Sequence, residues 1–333
     1  MKLHVYYIIS ILLIISCSSI KDKEMLSSGI DFNRVDTTVR PQDDFYRHVN
    51  GKWLKEFKLP DDKSRYATFT ILREKAREDV KKIIEEAAET KSSNGSDNQK
   101  IGDLYHSYMD TMSLEQIGIK NLQKEMDKIS EIKDISDLSE YMAYADIFTT
   151  APFGVYVYID SKNPTEHVTY LSQSGLGLPN RGYYMDDDEK SKNIRKEYVI
   201  HVGKMFELYG MSNSKDLART VMNIETRLAK VHWKKEKNRD PVLTYNQSSM
   251  SKIRSMIPSL DWDRWISGTE IKGIDKIIIS QSDYLKNIND IITETSIGDW
   301  KVYYKWALIN RFASLLSSDF DRQNFHFYRS VLS

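Results

Sequence analysis

DDFYRHVNGKWLKEFKLPDDKSRYATFTILR, from Asp43 to Arg73, is the stretch that most narrowly constrains this chain of 333 residues. Six aromatic side chains fall within it, and one glycine and one proline interrupt it. Because helices start and stop at such residues, the pattern predicts irregular, aromatic-rich backbone that leads into a helix. Two arginines, Arg65 and Arg73, flank Phe69. Composition alone favours aromatic residues that anchor the segment to a core, with exposed arginines beside them.

The composition is that of a folded protein without a strong charge preference. The chain holds 48 basic and 48 acidic residues, so no global field favours nucleic acid or an anionic membrane as a partner. Its 20 tyrosines and 6 tryptophans argue against disorder. At this length, one large domain and two smaller domains are both allowed.

The start of the chain predicts a lipoprotein signal peptide over residues 1–17. Its apolar run, Val5–Ile15, is too short to span a bilayer and fits the hydrophobic region of a signal peptide. Cys17, the single cysteine, follows in the pattern of a bacterial lipobox, and its thiol is the nucleophile that lipid attachment needs. We therefore expect an exported, membrane-anchored lipoprotein with a polar tether over residues 18–28 and a folded region over residues 29–333. A plain signal peptide with an incidental cysteine is the alternative.

Apolar periodicity predicts a mainly α fold with a minor β-hairpin. The predicted hairpin joins Phe153–Ile159 to His167–Ser172, two runs rich in β-branched and aromatic residues, and Lys276–Ser280 predicts one further short strand. Helical spacing predicts helices at Ile71–Ala88, 101–112, Asn121–Ile129, Asp137–Phe148 (capped by Ser136), Glu189–Tyr209 (ended by Gly210), Leu217–His232, Ser251–Ile257, Trp262–Ile266, Tyr284–Thr295, Trp300–Leu316 and Asp319–Leu332.

Two stretches between these elements invite a binding interpretation that their residues do not favour. The loop Gly175–Asp187 contains GLGLP, which lacks both the G-x-G-x-x-G spacing and the lysine of a phosphate-binding loop. The run WKKEKNRDP, Trp233–Pro241, mixes charges of both signs. Such a run is typical of a solvated helix end rather than of a binding patch.

In the order of its residues, the stretch Asp43–Arg73 resembles the start of the ectodomain in the neprilysin and endothelin-converting-enzyme family of zinc metallopeptidases. Three later stretches fit the same family in the same order, which makes the resemblance specific. They are SGLGLPNRGYYM (Ser174–Met185), IETRLAKVHWKKEKNRDPVLTYN (Ile224–Asn246) and FHFYRSVLS (Phe325–Ser333). The resemblance implies the helical, lid-forming N-terminal portion of a two-domain peptidase, whose first segment crosses to the catalytic domain.

The catalytic residues of such a peptidase are not found in this sequence. The family needs H-E-x-x-H, which directs two imidazoles from one helix face to zinc and leaves the glutamate to activate water. The chain has 7 histidines, no two of which lie within a helical turn, and none is followed by glutamate. A G-x-S-x-G elbow is also missing, and Cys17 is taken by the lipobox, so serine and cysteine hydrolases lack their nucleophile.

The resemblance explains this absence. It places the zinc motif in a C-terminal half, whereas FHFYRSVLS matches the end of the N-terminal half. We therefore expect a fragment or truncated product of a zinc metalloendopeptidase that hydrolyses peptides in a closed chamber, with no zinc ligand and no activity alone. A stand-alone domain without its catalytic half is the alternative. The competing functional class is a non-enzymatic, surface-anchored lipoprotein that binds peptides or glycans.

The resemblance also implies three substrate-binding residues. Arg65 and Arg73 match arginines that reach toward the C-terminal carboxylate of the bound peptide, and Phe69 matches an aromatic of the pocket for the residue after the cleaved bond. A guanidinium suits this role because its fork pairs with a carboxylate through two hydrogen bonds. The plain alternative is two surface arginines and a core phenylalanine. The sequence departs from the vertebrate relatives at His48 and Val49, where those relatives place a disulfide cysteine.

Overall fold

The structure, a computed structural model, describes residues 29–269, 271, 274 and 276–332. The predicted signal peptide, its Cys17 and the polar tether lie outside these residues. The α-helices, α1 to α14 in chain order, are Phe45–Glu56, Thr68–Glu89, Asp97–Met109, Thr111–Ile117, Gln123–Glu131, Ile135–Asp146, Gly182–Met185, Glu189–Leu208, Ser214–Val231, Met250–Met256, Trp262–Thr269, Ser282–Glu294, Ile297–Phe312 and Ser318–Phe325. The strands β1 to β4 are Phe153–Asp160, Asn163–Gln173, Asn246–Ser248 and Ile277–Ile279. None of the helices in the described ranges is long and apolar enough to cross a membrane.

The predicted mainly α fold with a β-hairpin is confirmed. The helix predicted at Glu189–Tyr209 is α8, and Gly210 follows it with a φ of 88°, in the left-handed region that glycine adopts at helix ends. The last predicted helix is α14, which continues into a π-helical segment, His326–Val331. α8 follows the apolar periodicity because it buries one face, which includes Ile194, Tyr198 and Val202.

The N-cap of α6 is Asp134 rather than the predicted Ser136. The Asp134 carboxylate accepts hydrogen bonds from the backbone N–H groups of Ser136 at 2.9 Å and Asp137 at 3.0 Å. Ser136 therefore lies in the first turn, where its hydroxyl donates to Asp261 at 2.5 Å. Both residue types are good N-caps, so composition does not separate two candidates that lie two positions apart.

The apolar stripe predicted at 101–112 is divided between α3 and α4. Asp110 ends α3 and caps α4, since its carboxylate accepts a hydrogen bond from the backbone N–H of Ser113 at 3.0 Å. Leu104, Tyr108 and Met112 are 72%, 58% and 74% exposed. The periodicity predicted the helix, but the described residues do not bury its apolar face.

The chain divides into two compact units after Glu86, and the first is organised around a buried carboxylate. Asp36 is 4% exposed and accepts hydrogen bonds from the Lys55 ammonium at 2.6 Å and from the Thr38 backbone N–H at 3.0 Å. Several contacts hold the pKa of Asp36 well below its usual range, and the hydrogen bond from Lys55 has the largest effect. Gly51 allows this arrangement, because a Cβ there would lie 2.5 Å from the Asp36 Cβ. The segment before α1 is thereby tied to that helix.

The second unit contains the main hydrophobic core, where α8, α9 and α13 pack against one another. Aromatic rings meet edge to face within it, as Trp306 does with Tyr198 at a centroid distance of 5.9 Å. Such pairs stabilise a core beyond the area that they bury. The largest fully buried aromatic side chains are Trp300, Trp306, Tyr198, Tyr284, Tyr303, Tyr304, Phe153, Phe206 and Phe327.

The four strands form one sheet in the order β1-β2-β4-β3. β1 and β2 are the predicted antiparallel hairpin, and the predicted strand β4 pairs with β2 in parallel, with Tyr170 opposite Ile278. β3, which was not predicted, pairs antiparallel with β4. Because side chains alternate along a strand, Leu171 and Ile279 face the main core, whereas Tyr170 and Ile278 form a second small cluster with Tyr245.

Candidate functional site

The three predicted substrate-binding residues lie at the start of α2, in the N-terminal unit. Arg65 is in the loop that precedes the helix, Phe69 is its second residue, and Arg73 follows one turn later. Side chains four residues apart in a helix are neighbours on its surface. The fold therefore places Phe69 and Arg73 on one face and brings Arg65 to the same helix end.

These three side chains are all exposed. Phe69 is 84% exposed, and both arginine side chains are exposed as well. No side-chain hydrogen bond or ion pair among the described residues involves Arg65 or Arg73. The site therefore combines an exposed aromatic ring with two guanidinium groups whose hydrogen-bond donors are available to a ligand.

Aromatic stacking fixes the backbone that carries the site. The Phe57 ring stacks on Trp53 at 4.6 Å and lies 4.7 Å from the Tyr66 ring, which joins the end of α1 to the loop before α2. These three rings are half-buried and pack on one another, and neither hydrophobic core cluster includes them. Phe45, in contrast, is 69% exposed. The stack holds the loop that carries Arg65.

A polar cluster completes this support and leaves the arginines unpaired. Glu74 follows Arg73 directly, but its carboxylate accepts a hydrogen bond from the Tyr66 hydroxyl at 2.9 Å and pairs with the Lys63 ammonium at 3.1 Å. The Tyr66 hydrogen bond, followed by the Lys63 contact, lowers the pKa of Glu74. The nearest acidic residue in sequence is therefore already engaged, so it does not neutralise Arg73.

The described residues do not offer a metal site. No group of three or more His, Cys, Asp and Glu side chains within them is arranged to hold an ion. The two buried histidines do not belong to such a group. Burial lowers the pKa of His201 to about 3 and the pKa of His232 to about 4. The His48 Nδ1 donates a hydrogen bond to the Val39 carbonyl at 2.7 Å.

A buried carboxylate network was missed by the sequence interpretation. The Glu225 carboxylate, on α9, accepts hydrogen bonds from the hydroxyls of Tyr184 at 2.6 Å and Tyr198 at 2.9 Å. The Trp306 indole N–H donates to the Tyr198 hydroxyl at 3.0 Å. Burial raises the pKa of Glu225 to about 7, against the opposing effect of the tyrosine hydrogen bonds.

This network positions the loop 174–181 rather than performing chemistry, because both carboxylate oxygens are engaged. Gly177 lies against this network, since a Cβ there would lie 1.9 Å from the Tyr198 hydroxyl and 3.1 Å from the Glu225 carboxylate. Only glycine allows this approach. The sequence contains a pattern that indicates a buried carboxylate. Glu225 is four residues after Val221 and three before Leu228, and it therefore lies on the face of α9 that was predicted to point inward.

Comparison with known proteins supports the resemblance. The family model described as Peptidase family M13 (Peptidase_M13_N) matches residues 41–333. Endothelin-converting enzyme 1 of Rattus norvegicus is 27% identical over 302 residues, which cover 86% of this chain and 39% of that protein. Endothelin-converting enzyme-like 1 of Mus musculus is 25% identical over 305 residues, with the same coverage of each chain.

Solved structures agree with this result. The zinc metalloprotease Zmp1 of Mycobacterium tuberculosis, in complex with an inhibitor, superposes with a TM-score of 0.82 at 32% identity, over 92% of this chain and 48% of that chain. PepO from Lactobacillus rhamnosis HN001 superposes with a TM-score of 0.70 at 19% identity, over 87% of this chain and 46% of that chain, which shows a shared fold. The chain thus spans less than half the length of these relatives. The family model covers all but the first 40 residues of the chain. The chain therefore belongs to peptidase family M13 and is homologous to the N-terminal half of the neprilysin-type zinc metallopeptidases.

Proposed function

We propose that this chain is the N-terminal half of a zinc metalloendopeptidase and that Arg65, Phe69 and Arg73 contact its peptide substrate. One observation carries the proposal: in a member of this peptidase family, an exposed phenylalanine lies between two exposed arginines that have no partner among the described residues. An apolar ring beside two available guanidinium groups suits a peptide that ends in an apolar residue and a free carboxylate.

In this proposal the chain supplies binding and orientation rather than bond cleavage. Each arginine donates hydrogen bonds to the terminal carboxylate, and Phe69 packs on the side chain that follows the scissile bond. Holding the peptide by its end aligns the scissile bond and supplies part of the rate enhancement through orientation. Zinc, which polarises the scissile carbonyl in such enzymes, and its glutamate base would be held by residues outside this chain.

We further propose that residues 1–17 are a lipoprotein signal peptide, that lipid is attached to Cys17, and that residues 18–28 connect this anchor to the folded region over residues 29–333. The short apolar run and the position of the cysteine support this arrangement. The protein would then act on peptides in the bacterial cell envelope. The non-enzymatic alternative, a surface-anchored lipoprotein that binds peptides or glycans, predicts the same anchor, so the anchor does not separate the two functions.

Kinetics on a matched pair of substrates test the binding roles. In the peptidase completed by its C-terminal half, Arg65→Met and Arg73→Met are expected to lower kcat/KM for a short peptide acid by about one to two orders of magnitude, because a charge-assisted hydrogen bond contributes roughly 1.5–3 kcal/mol. The loss should be much smaller for the corresponding C-terminal amide, which has no carboxylate to pair.

Arg77→Met is the matched control, since Arg77 is an exposed arginine one turn further along α2. This substitution should leave kcat/KM unchanged for both the acid and the amide. Equal losses on the acid and the amide would mean that Arg65 and Arg73 support the fold rather than the substrate. A complete protein that binds peptides but cleaves none, with or without zinc, would favour the non-enzymatic lipoprotein.

A further inference from the structure

A cavity of about 320 Å³ lies in the second unit, where the loop 174–181 meets the exit of α9. Its size is at the lower end of the range for small-molecule sites, roughly 300–1,000 Å³. Arg181 lines it from the loop, and His232, Trp233 and Lys235 line it from the chain that leaves α9. The run Trp233–Pro241, predicted as a solvated helix end, thus also contributes to the wall of a cavity. This cavity is called the loop-174 pocket below.

Three contacts fix the walls of the loop-174 pocket. The Gln173 side chain accepts a hydrogen bond from the Trp233 backbone N–H at 2.7 Å and donates to its carbonyl at 3.4 Å. The His232 Nε2 donates to the Ser174 carbonyl at 3.0 Å. The Arg181 Nε donates to the Ala229 carbonyl at 3.2 Å. The end of β2, the loop and the end of α9 are therefore held together, and the pocket is formed without a ligand.

The charge of the lining is unbalanced. Two cations, Arg181 and Lys235, line the pocket, and no carboxylate does. The Arg181 guanidinium uses only its Nε among the described residues, and Lys235 has no ion pair there. Both cations would attract an anion in the pocket, and no carboxylate of the lining would oppose it.

Other cavities of the second unit do not share this imbalance. A cavity of about 640 Å³ is lined by Lys128, Lys133 and Arg264 together with three acidic residues, and Arg264 pairs with Glu140. A cavity of about 410 Å³ is lined by two cations and two acidic residues. In both, the protein supplies its own counter-charges.

The lining also offers neutral donors for an anion. Asn180 and Asn238 use their side-chain oxygens as acceptors, from the Gly182 backbone N–H at 2.9 Å and from the Gln281 amide at 3.2 Å. Their NH₂ groups have no partner among the described residues. The lining thus includes two cations without a carboxylate partner and two amide NH₂ groups without a partner among the described residues, a set of donors that suits an oxyanion.

One feature of the surroundings opposes an anion. The carbonyl end of a helix carries partial negative charge, and α9 ends at this pocket. Arg181 offsets this charge by bonding the Ala229 carbonyl through Nε, and the remaining guanidinium nitrogens form the fork that suits carboxylate or phosphate. The two terminal nitrogens of Arg181 have no partner among the described residues and are therefore available to an anion.

We propose that the loop-174 pocket binds an oxyanion of the carboxylate or phosphate class, with Arg181 as the bidentate donor and Lys235 as the second charge. The site differs from a phosphate-binding loop because side chains, rather than glycine-rich backbone, provide the donors. It does not depend on the role proposed for Arg65 and Arg73, and it requires no catalytic residue.

Calorimetric titration of the full chain with inorganic phosphate and, separately, with acetate tests the proposal at an ionic strength held constant with sodium chloride. We expect saturable binding of one anion per chain for at least one of the two, and the anion that binds more tightly identifies the class. Arg181→Lys, which keeps the charge and removes the fork, should weaken binding by about tenfold, and Lys235→Gln should weaken it by several-fold to about tenfold.

Lys234→Gln is the control, because Lys234 is an exposed lysine next to the site that does not line the pocket. It should change the Kd by less than about twofold. Thermal unfolding of each variant identifies any loss of fold, and Lys235→Gln, at an exposed position, keeps the test valid if Arg181→Lys does not fold. No saturable binding of either anion, or equal weakening by Lys235→Gln and Lys234→Gln, would overturn the proposal.

Discussion

The buried carboxylate Glu225 predicts a specific pH dependence of stability. Burial raises its pKa from 4.5 to about 7 in the folded protein, whereas the unfolded chain keeps the ordinary value. Between these values the folded state binds one more proton than the unfolded state, so stability falls as pH rises. At about 1.4 kcal/mol per pH unit, the free energy of unfolding is expected to lose about 3 kcal/mol across this interval. The loss is complete above the folded pKa.

Other buried groups titrate nearby and must be separated from Glu225. Burial raises the pKa of Asp146 to about 6, which adds a loss of stability in the same direction as pH rises. Burial lowers the pKa values of His201 and His232 to about 3 and about 4, so these residues contribute the opposite trend, with stability lost as pH falls below the ordinary histidine value. A variant that removes only the Glu225 titration isolates its contribution, because the other terms cancel in the difference.

Glu225→Gln is that variant, since glutamine keeps the shape of the side chain and has no proton to lose. Urea unfolding of the second unit, followed by tryptophan fluorescence, would be measured for both proteins from about pH 4.5 to about pH 7.5. The stability of the wild type relative to Glu225→Gln should fall by about 3 kcal/mol as pH rises. A difference that stays constant over this range would refute the assignment of a raised pKa to Glu225, whatever the constant offset between the two proteins.

Three further outcomes are expected. Cells fed a palmitate analogue should label the wild type but not Cys17→Ala, and equal labelling would exclude the lipobox assignment. Gly51→Ala should lower stability by about 1–3 kcal/mol, because its Cβ would lie 2.5 Å from the Asp36 Cβ, whereas Gly298→Ala, whose Cβ would lie 3.6 Å from its nearest neighbour, should be tolerated in a thermal unfolding assay. The full chain alone should retain no stoichiometric zinc after dialysis and should cleave no peptide; chelator-sensitive peptidase activity would show that this expectation is wrong.

Local patterns were sufficient for most of the elements and for the family. The helix α8, the hairpin of β1 and β2 and the glycine that ends α8 each depend on residues close in sequence, whose periodicity and turn chemistry act without distant partners. The family resemblance likewise rests on contiguous stretches of sequence, of which Asp43–Arg73 contains Arg65, Phe69 and Arg73. The roles of these three residues stay a prediction.

The tertiary structure decided which faces are buried and which distant residues meet. An apolar stripe shows that a helix has one apolar face but not what covers it, so the exposure of Leu104 could not be predicted. β4 joins β2 across more than 100 residues, and no local signal selects that partner. The approach of Arg181 to the exit of α9, and of Glu225 to two tyrosine hydroxyls, likewise depends on how separate segments pack. Side-chain type and spacing determine the local backbone, whereas the charge balance of a pocket and the pKa of a buried carboxylate arise only when folding removes water from groups far apart in the chain.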